Sequence, residues 1–379
     1  MSKDETGTTR RKFIKTSAMT AAGVTVGLSS MNASVFARTP GANEKIRVGF
    51  IGLGNRGTQL LQRFMANQDV EVAALCDVYE PYTLRDRSRV DARWLDIGKV
   101  PKMGERFANE PKRYGDFREL LEQKDIDAVC ISTPDHWHAL QTIAALDAGK
   151  DVYIEKPLTI TLNEGRQMVT AADATDRVVA VGLNRRGSSI YQELAGLIQG
   201  GKIGEVRTAR AYRISNMYPN GIGALKSEAP PADFDWDMWL GPRPLRPYQY
   251  NIAPYFFRWW QDYSSQMGNW GVHYLDVIRW MSGETAPVAI TAHGSKIMKD
   301  DKTIPDTMEV TFEFATGMIA QFHIYEACGA AGIDGGEVEF GGTHGNLVVD
   351  QNGYSISPVK PGQFQTWKRL VEPVEKSFQ

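Results

Sequence analysis

Six residues near the start of the chain restrict its fold more than any other feature. Gly52-Leu53-Gly54-Asn55-Arg56-Gly57 follows directly on the apolar run Ile46-Arg47-Val48-Gly49-Phe50-Ile51 and precedes a segment with Leu60, Leu61, Phe64 and Met65 on one helical face. This is G-x-G-x-x-G between a buried parallel strand and a helix, the context in which the pattern has a mechanism. The first glycine permits a tight turn, the second lets backbone amides approach a pyrophosphate, and the third lets the helix lie close to the strand. The free N–H groups of the helix N-terminus then face the phosphates. A second apolar run, Val70 to Leu75, ends at Asp77, twenty residues past Gly57. A carboxylate there accepts hydrogen bonds from ribose hydroxyls and repels a 2′-phosphate, so the expected cofactor is NAD rather than NADP.

The strand–helix alternation continues. Asp116 is an N-cap for a helix from Phe117 to Glu122. Ala128 to Ser132 is the next buried strand, followed by Thr133-Pro134-Asp135-His136-Trp137-His138 and a helix over 136–148 that ends at Gly149. Val152-Tyr153-Ile154 delivers Glu155-Lys156-Pro157, and a helix near 162–174 and a strand from Val178 to Val181 complete the set. Residues 44–184 therefore read as a doubly wound parallel sheet of the Rossmann type, with ligands at the carboxyl ends of its strands. From about Arg185 the rhythm changes. Glu205 to Ile214 alternates as a long strand, as do Met308 to Phe314 and Met318 to Glu326, joined by Ala315-Thr316-Gly317; Asn352-Gly353 marks another hairpin. Residues 185–379 read as an α+β domain with an open, mainly antiparallel sheet and helices on one side, making the whole chain α/β in class.

A length of 379 residues suits two such domains. The 43 basic residues against 45 acidic ones give a net charge of −2, which argues against nucleic-acid binding. Three cysteines make neither a disulfide framework nor a zinc site, and no metal is expected. No run of 18 apolar residues exists, which excludes a polytopic membrane protein. Residues 1–37 read as an address. Thr9-Arg10-Arg11-Lys12-Phe13-Ile14-Lys15 resembles a twin-arginine export signal, Thr16 to Ser30 is mildly apolar, and Val35-Phe36-Ala37 places small residues before a cleavage point. The expected location is the periplasm or another exported site, and the export machinery is an expected partner. That route carries folded proteins, so the cofactor is expected to be acquired in the cytoplasm and held tightly.

Beyond the glycine motif, Ala128-Val129-Cys130-Ile131-Ser132-Thr133-Pro134-Asp135-His136-Trp137-His138, Glu155-Lys156-Pro157 and Val181-Gly182-Leu183-Asn184-Arg185-Arg186 form a series with Asp235-Trp236-Asp237-Met238-Trp239-Leu240-Gly241-Pro242 and Gly268-Asn269-Trp270-Gly271-Val272-His273-Tyr274-Leu275-Asp276. Together they resemble the Gfo/Idh/MocA oxidoreductases, named for glucose–fructose oxidoreductase and inositol dehydrogenase, over nearly all of the chain past residue 37. The resemblance implies a small carbohydrate substrate and a sheet in the second domain that walls the substrate cleft and supports a homo-oligomer. Gly52, Gly54, Asn55, Arg56, Gly57, Asp77, Thr133, Pro134, His138, Glu155 and Lys156 are the expected cofactor contacts, His138 because it matches a recurrent family histidine.

Oxidising a secondary alcohol removes a proton from oxygen and a hydride from carbon, so the site needs a base and a group that stabilises developing alkoxide. Lys156 stands at the end of a parallel strand, where burial beside a positively charged nicotinamide favours its neutral amine; Glu155 is placed to orient it. His273 is the candidate base. Family members of the inositol-dehydrogenase type carry a catalytic aspartate four residues before this histidine; here that place is Asn269, whose amide can hold a ring or a substrate but cannot accept a proton. Asp276 reads as structural. His136 and His138, two residues apart, point to different faces of a helix and share no metal. Arg185 and Arg186 follow the sixth strand, Arg186 being the candidate substrate contact. Residues 231–285 hold six of the nine tryptophans and five tyrosines. Trp236, Trp239, Trp259, Trp260, Trp270 and Tyr263 can stack on sugar rings, with Arg258 and Asp262 bonding hydroxyls; half of these aromatics are expected in the core, Trp239 among them.

Three functions fit this reading: an exported NAD-dependent oxidoreductase of a sugar, polyol or glycoside; a redox-neutral glycosidase or lyase that oxidises a hydroxyl transiently; and a non-catalytic dinucleotide sensor. Lys156, His273 and export argue against the sensor, whereas the first two share every motif. Relatives continue past the strand at Gly342-Thr343-His344-Gly345-Asn346-Leu347 through another helix. Here only a short stretch runs to Gln379, so either those helices are absent or the chain is a fragment. Replacing Arg10 and Arg11 with Lys is expected to leave the protein in the cytoplasm with residues 1–37 attached; cell fractionation with mass measurement checks this.

Overall fold

Strand β1, Ile46–Ile51, is the centre of the first body. The computed structural model describes residues 45–328, 336–350, 352–360 and 370–377, so the export signal expected at 1–37 lies outside the described residues. β1 pairs in parallel with β2 (Val70–Cys76) on one side and β4 (Ala128–Ile131) on the other. β3 (Lys112–Tyr114), β5 (Asp151–Ile154) and β6 (Val179–Val181) complete a six-stranded parallel sheet in the order β3-β2-β1-β4-β5-β6. The strand order reverses between β1 and β4, which opens a crevice at their carboxyl ends. The apolar runs of the sequence are buried because helices cover both faces of such a sheet. Leu120, Val129, Ile131, Val152 and Ile154 share one core cluster. Asp116 caps its helix as expected, its side chain accepting from the Arg118 N–H.

The first body is not continuous in sequence. Among the described residues it comprises the chain up to Gly182 and then Ala229–Arg246, while Leu183–Glu228 and the described residues from Pro247 onwards form the second body. The returning segment is tied down by backbone bonds from Glu80 N–H to the Asp233 carbonyl (3.0 Å) and from Asp235 N–H to that of Val78 (2.9 Å). Phe234 sits edge-on to Trp94 and Tyr79, with centroids 4.8 and 6.0 Å away. Trp236 and Trp239 stack at 4.9 Å. These two residues, read from sequence as part of one aromatic insert, belong with the first body.

The second body is an eight-stranded sheet in the order β14-β13-β12-β11-β7-β10-β9-β8. Its strands are β7 (Val206–Ile214), β8 (Pro287–Ser295), β9 (Thr307–Phe314), β10 (Ile319–Tyr325), β11 (Gly336–Gly342), β12 (Gly345–Asp350), β13 (Gly353–Pro358) and β14 (Val374–Ser377). β7 and β10 run parallel and the other described pairs antiparallel. The helices Ser189–Gln199 and Val272–Ser282 cover one face, burying Leu194, Ile198, Val277, Ile278 and Met281 against Phe322, Phe340 and Leu347.

A buried ion pair that the sequence does not announce locks the glycine-motif helix. Arg85, in a left-handed backbone conformation at φ +57°, points Nε and Nη2 at the two Glu105 oxygens, each at 2.9 Å. Nη2 also donates to Thr58 Oγ1 at 3.0 Å, and Thr58 Oγ1 donates to the Leu53 carbonyl at 2.9 Å. The paired side chains are 3% and 7% exposed, so removing one leaves a charge stranded. Arg85→Met is expected to cost about 3–5 kcal/mol, and Arg85→Met with Glu105→Leu to recover most of that, as read from urea denaturation.

Candidate active site

The glycine loop is built for a ligand to lie against its backbone. Gly52 has φ +86°, and a Cβ there would stand 2.7 Å from the Thr133 nitrogen. A Cβ on Gly57 would stand 2.0 Å from the Gly52 carbonyl oxygen, so the helix Asn55–Met65 reaches its place only with glycine at that position. At Gly54 the nearest atom to an added Cβ is a Tyr82 ring carbon at 3.9 Å. The helix begins at Gly54 without a side-chain cap, leaving its N-terminal dipole for a phosphate. Asp77 closes the loop. Its Oδ2 accepts from Leu53 N–H at 2.6 Å and its Oδ1 from Tyr79 N–H at 2.9 Å. Burial pushes its carboxyl up to about 6, against the pull of those amides and of Arg85. Open backbone, an uncapped helix start and an acceptor at the end of β2 together fit a dinucleotide.

Around the loop, Ser132 Oγ donates to the Gly52 carbonyl at 2.7 Å and Thr133 Oγ1 donates to Gln141 at 2.7 Å. Pro134 leads into the short turn Asp135–Trp137. Asn55 Oδ1 accepts from Gln59 Nε2 at 2.6 Å. Arg56 Nε donates to Glu155 Oε1 at 2.6 Å, and Glu155 Oε2 accepts the Lys156 N–H at 3.1 Å. Glu155 thus links the glycine loop to Lys156 through the lysine backbone. Lys156, partly buried, stands two residues past the end of β5.

One expectation changes here, the cofactor contact read for His138. His138 is 1% exposed, and its ring nitrogens lie 2.6 Å from the Pro157 carbonyl and 2.9 Å from that of Thr133. It braces the two loops from beneath and turns no ring nitrogen toward a ligand. His136 donates through Nε2 to the Trp239 carbonyl at 2.8 Å, and burial pulls its imidazole down to about 3, so the ring is neutral. Trp137 Nε1 donates to the same carbonyl at 3.1 Å, which makes Trp239 structural as expected.

In the second body, the π-helical turn Met267–Gly271 runs into the helix Val272–Ser282 and carries Asn269 and Trp270, with His273 at the second helical position. A Cβ on Gly271 would stand 2.4 Å from the Met267 sulfur, so a larger residue there would have to displace that side chain. All three side chains are partly buried. The Arg213 guanidinium lies 3.8 Å from the Trp270 ring centroid. Arg186 grips Asp276 with two nitrogens at 2.8–3.0 Å, so the pair is a structural fork at the start of this body. Trp260, expected as a platform for sugar, is 5% exposed and donates Nε1 to the Asn251 carbonyl at 2.7 Å; it is core. Trp259 and Tyr263 are buried as well. Arg258 donates to the Tyr255 carbonyl at 2.8 Å and lies 4.4 Å over the Tyr255 and Phe257 rings. Asp262 is exposed.

A buried ionic cluster that no motif announces lies beside this turn. Lys302 Nζ lies 3.5 Å from Glu326 and 3.7 Å from Asp306, with lysine and aspartate side chains fully buried. Trp259 Nε1 donates to both Glu326 oxygens at 2.9 and 3.0 Å. Burial raises the Glu326 carboxyl, opposed by Trp259, Lys302 and Gln266.

A sequence model of the oxidoreductase family's NAD-binding Rossmann fold matches residues 46–183, and a model of the family's C-terminal alpha/beta domain matches residues 205–336. The chain belongs to the Gfo/Idh/MocA oxidoreductase family. Its first body is an NAD-binding domain. A glycosyl hydrolase family 109 protein of Shewanella pealeana is 32% identical over 44% of this chain. An alpha-N-acetylgalactosaminidase of Shewanella oneidensis is 34% identical over 44% of it. The match spans 38% of the length of each of these relatives. Among solved structures of the same fold, a levoglucosan dehydrogenase with NADH and levoglucosan has a TM-score of 0.62 at 21% identity, covering 88% of this chain and 80% of its own. The aldose-aldose oxidoreductase of Caulobacter crescentus has a TM-score of 0.58 at 18% identity, covering 88% and 83%.

Ionised Asp77 is a stronger acceptor than its protonated form, so if it takes the ribose hydroxyls, NAD affinity is expected to be full above about pH 6 and to fall below it. One proton limits the slope to about tenfold per pH unit. Asp77→Asn should flatten the profile and weaken binding at neutral pH; titration calorimetry from pH 5 to 8 checks both.

Proposed function

We propose that the protein is an exported NAD-dependent oxidoreductase acting on a secondary hydroxyl of a sugar, polyol or glycoside, with a tightly bound cofactor that is recycled. The observation that carries this reading is the first body's open glycine loop with Asp77 at its side and Lys156 tied to it through Glu155 and Arg56. When bound, the nicotinamide accepts and returns a hydride. Gly54 and the uncapped helix start would hold the pyrophosphate, and Asp77 would hold the ribose. Each body offers one proton-handling side chain, Lys156 in the first and His273 in the second. Neither role is needed by a mere sensor. The resemblance of residues 9–37 to a twin-arginine signal supports export of the folded holoprotein, and an exposed edge strand β8, with Val288 and Ile290 outward, suits a homo-oligomer.

A second reading rests on a separate observation. The relatives at 32–34% identity are named as glycosyl hydrolase family 109 and alpha-N-acetylgalactosaminidase, which favours redox-neutral cleavage of a glycoside. Outside the cytoplasm no NAD pool replaces a spent cofactor, so both readings require a closed redox cycle. A plain sugar is expected to give at most one equivalent of reduced cofactor per protein. Sustained turnover is expected with a paired carbonyl acceptor in the first case and with a cleavable glycoside in the second. Lys156→Ala and His273→Ala should each retain cofactor and lose on the order of a hundredfold in turnover. Many turnovers on a plain alcohol, with free NAD consumed from the medium, would overturn the closed cycle.

A further inference from the structure

One arginine of the second body lacks the acceptor that comparable arginines have. Arg185, Arg186 and Arg258, all partly buried, donate to the Tyr191 hydroxyl, to Asp276 and to the Tyr255 carbonyl. Arg213 is partly buried too, yet among the described residues its side chain makes no hydrogen bond and no ion pair, and its Nε is shut off from solvent. Strand alternation puts it there. Ala209 and Ala211 of β7 are buried in the core under the helices, and Arg213, two residues on, shares their face. Its guanidinium carbon lies 3.8 Å from the centre of the Trp270 ring, and that ring lies 6.4 Å from the His273 ring. An aromatic face attracts the cation but leaves the in-plane N–H fork available to an acceptor. Holding a cation partly out of water without a counter-charge is costly, so the arrangement favours an anion. A carboxylate matches both the single charge and the planar fork.

We propose that Arg213 is a specificity-determining residue that binds a substrate carboxylate beside the Trp270 ring, so that the sugar acted on is a sugar acid, a uronate or an aldonate, rather than a neutral sugar. Gripped at the carboxylate by both arms of the fork, the sugar acid presents a fixed end toward His273. This deepens the function proposed above and rests on His273 marking its substrate site.

The test uses full-length holoprotein and matched pairs of ligands: D-glucuronate with D-glucose, D-galacturonate with D-galactose, and D-gluconate with D-glucitol. Binding is read by titration calorimetry, and reduction of the bound cofactor by its absorbance in a single turnover. At least one acid is expected to bind about tenfold or more tighter than its neutral partner, the margin of a charge-assisted hydrogen bond. Arg213→Gln should bring that ratio to about one. Arg213→Lys keeps the charge without the fork and should leave a ratio of about threefold. Cofactor content and melting temperature show whether each variant is folded. Equal binding within every pair overturns the proposal, as does a preference that survives in Arg213→Gln. If that variant does not fold, an undiminished preference in Arg213→Lys overturns it instead. Glucose 6-phosphate bound as tightly as the best acid also overturns it, since the anion read is then a phosphate. Failure of the proposed function looks different: an acid bound tightly through Arg213 without reducing the bound cofactor leaves this site standing and sinks the reaction.

Discussion

The contact between Gly57 and the Gly52 carbonyl sets the geometry on which the first body depends. With 2.0 Å between that oxygen and a built Cβ, the helix after β1 sits as close to the strand as backbone allows. Its N-terminus consequently opens at the point where the strand order turns, and the neighbouring loops are hung from it. Ser132 bonds the Gly52 carbonyl, Asp77 accepts the Leu53 N–H, and Arg85 with Thr58 fixes the far side. Arg56 carries the same loop to Glu155. Four separate stretches of sequence are therefore registered on one short turn.

Much of this was legible because parallel strands buried on both faces leave continuous apolar runs. β1, β2, β4, β5 and β6 were found within a residue or two, and so was the cap at Asp116. Alternation found β7, β9 and β10 for the complementary reason, one face being covered by helices. β3 escaped because three residues carry no period, and β8 because it is exposed along nearly its whole length. Periodicity reports burial against a neighbouring layer, and where that layer is missing it reports nothing.

Side-chain roles were less legible than elements. His138 matched a family position, yet its two ring nitrogens lie against the carbonyls of Pro157 and Thr133. Trp260 and Trp259 looked like sugar platforms because composition shows aromatic density without showing which indole N–H is already engaged. The cluster of Lys302, Asp306 and Glu326 is assembled from the loop before β9 and the end of β10. Its members are neighbours only because register brings them together. A buried charge set of this kind costs desolvation and returns orientation, since each group can face only one way.

The return of residues Ala229–Arg246 to the first body has a consequence for how the chain is made. Synthesis runs from the N-terminus, so when the last strand of the parallel sheet leaves the ribosome the domain that contains it is still unfinished. Trp94 and Tyr79 lack Phe234 against their rings, and the His136 and Trp137 N–H groups lack the carbonyl of Trp239. Some fifty residues of the other body must emerge first. The nucleotide-binding body thus closes only after a stretch of the other body has been made, and cutting the gene after β6 would release a fragment with an open aromatic seam.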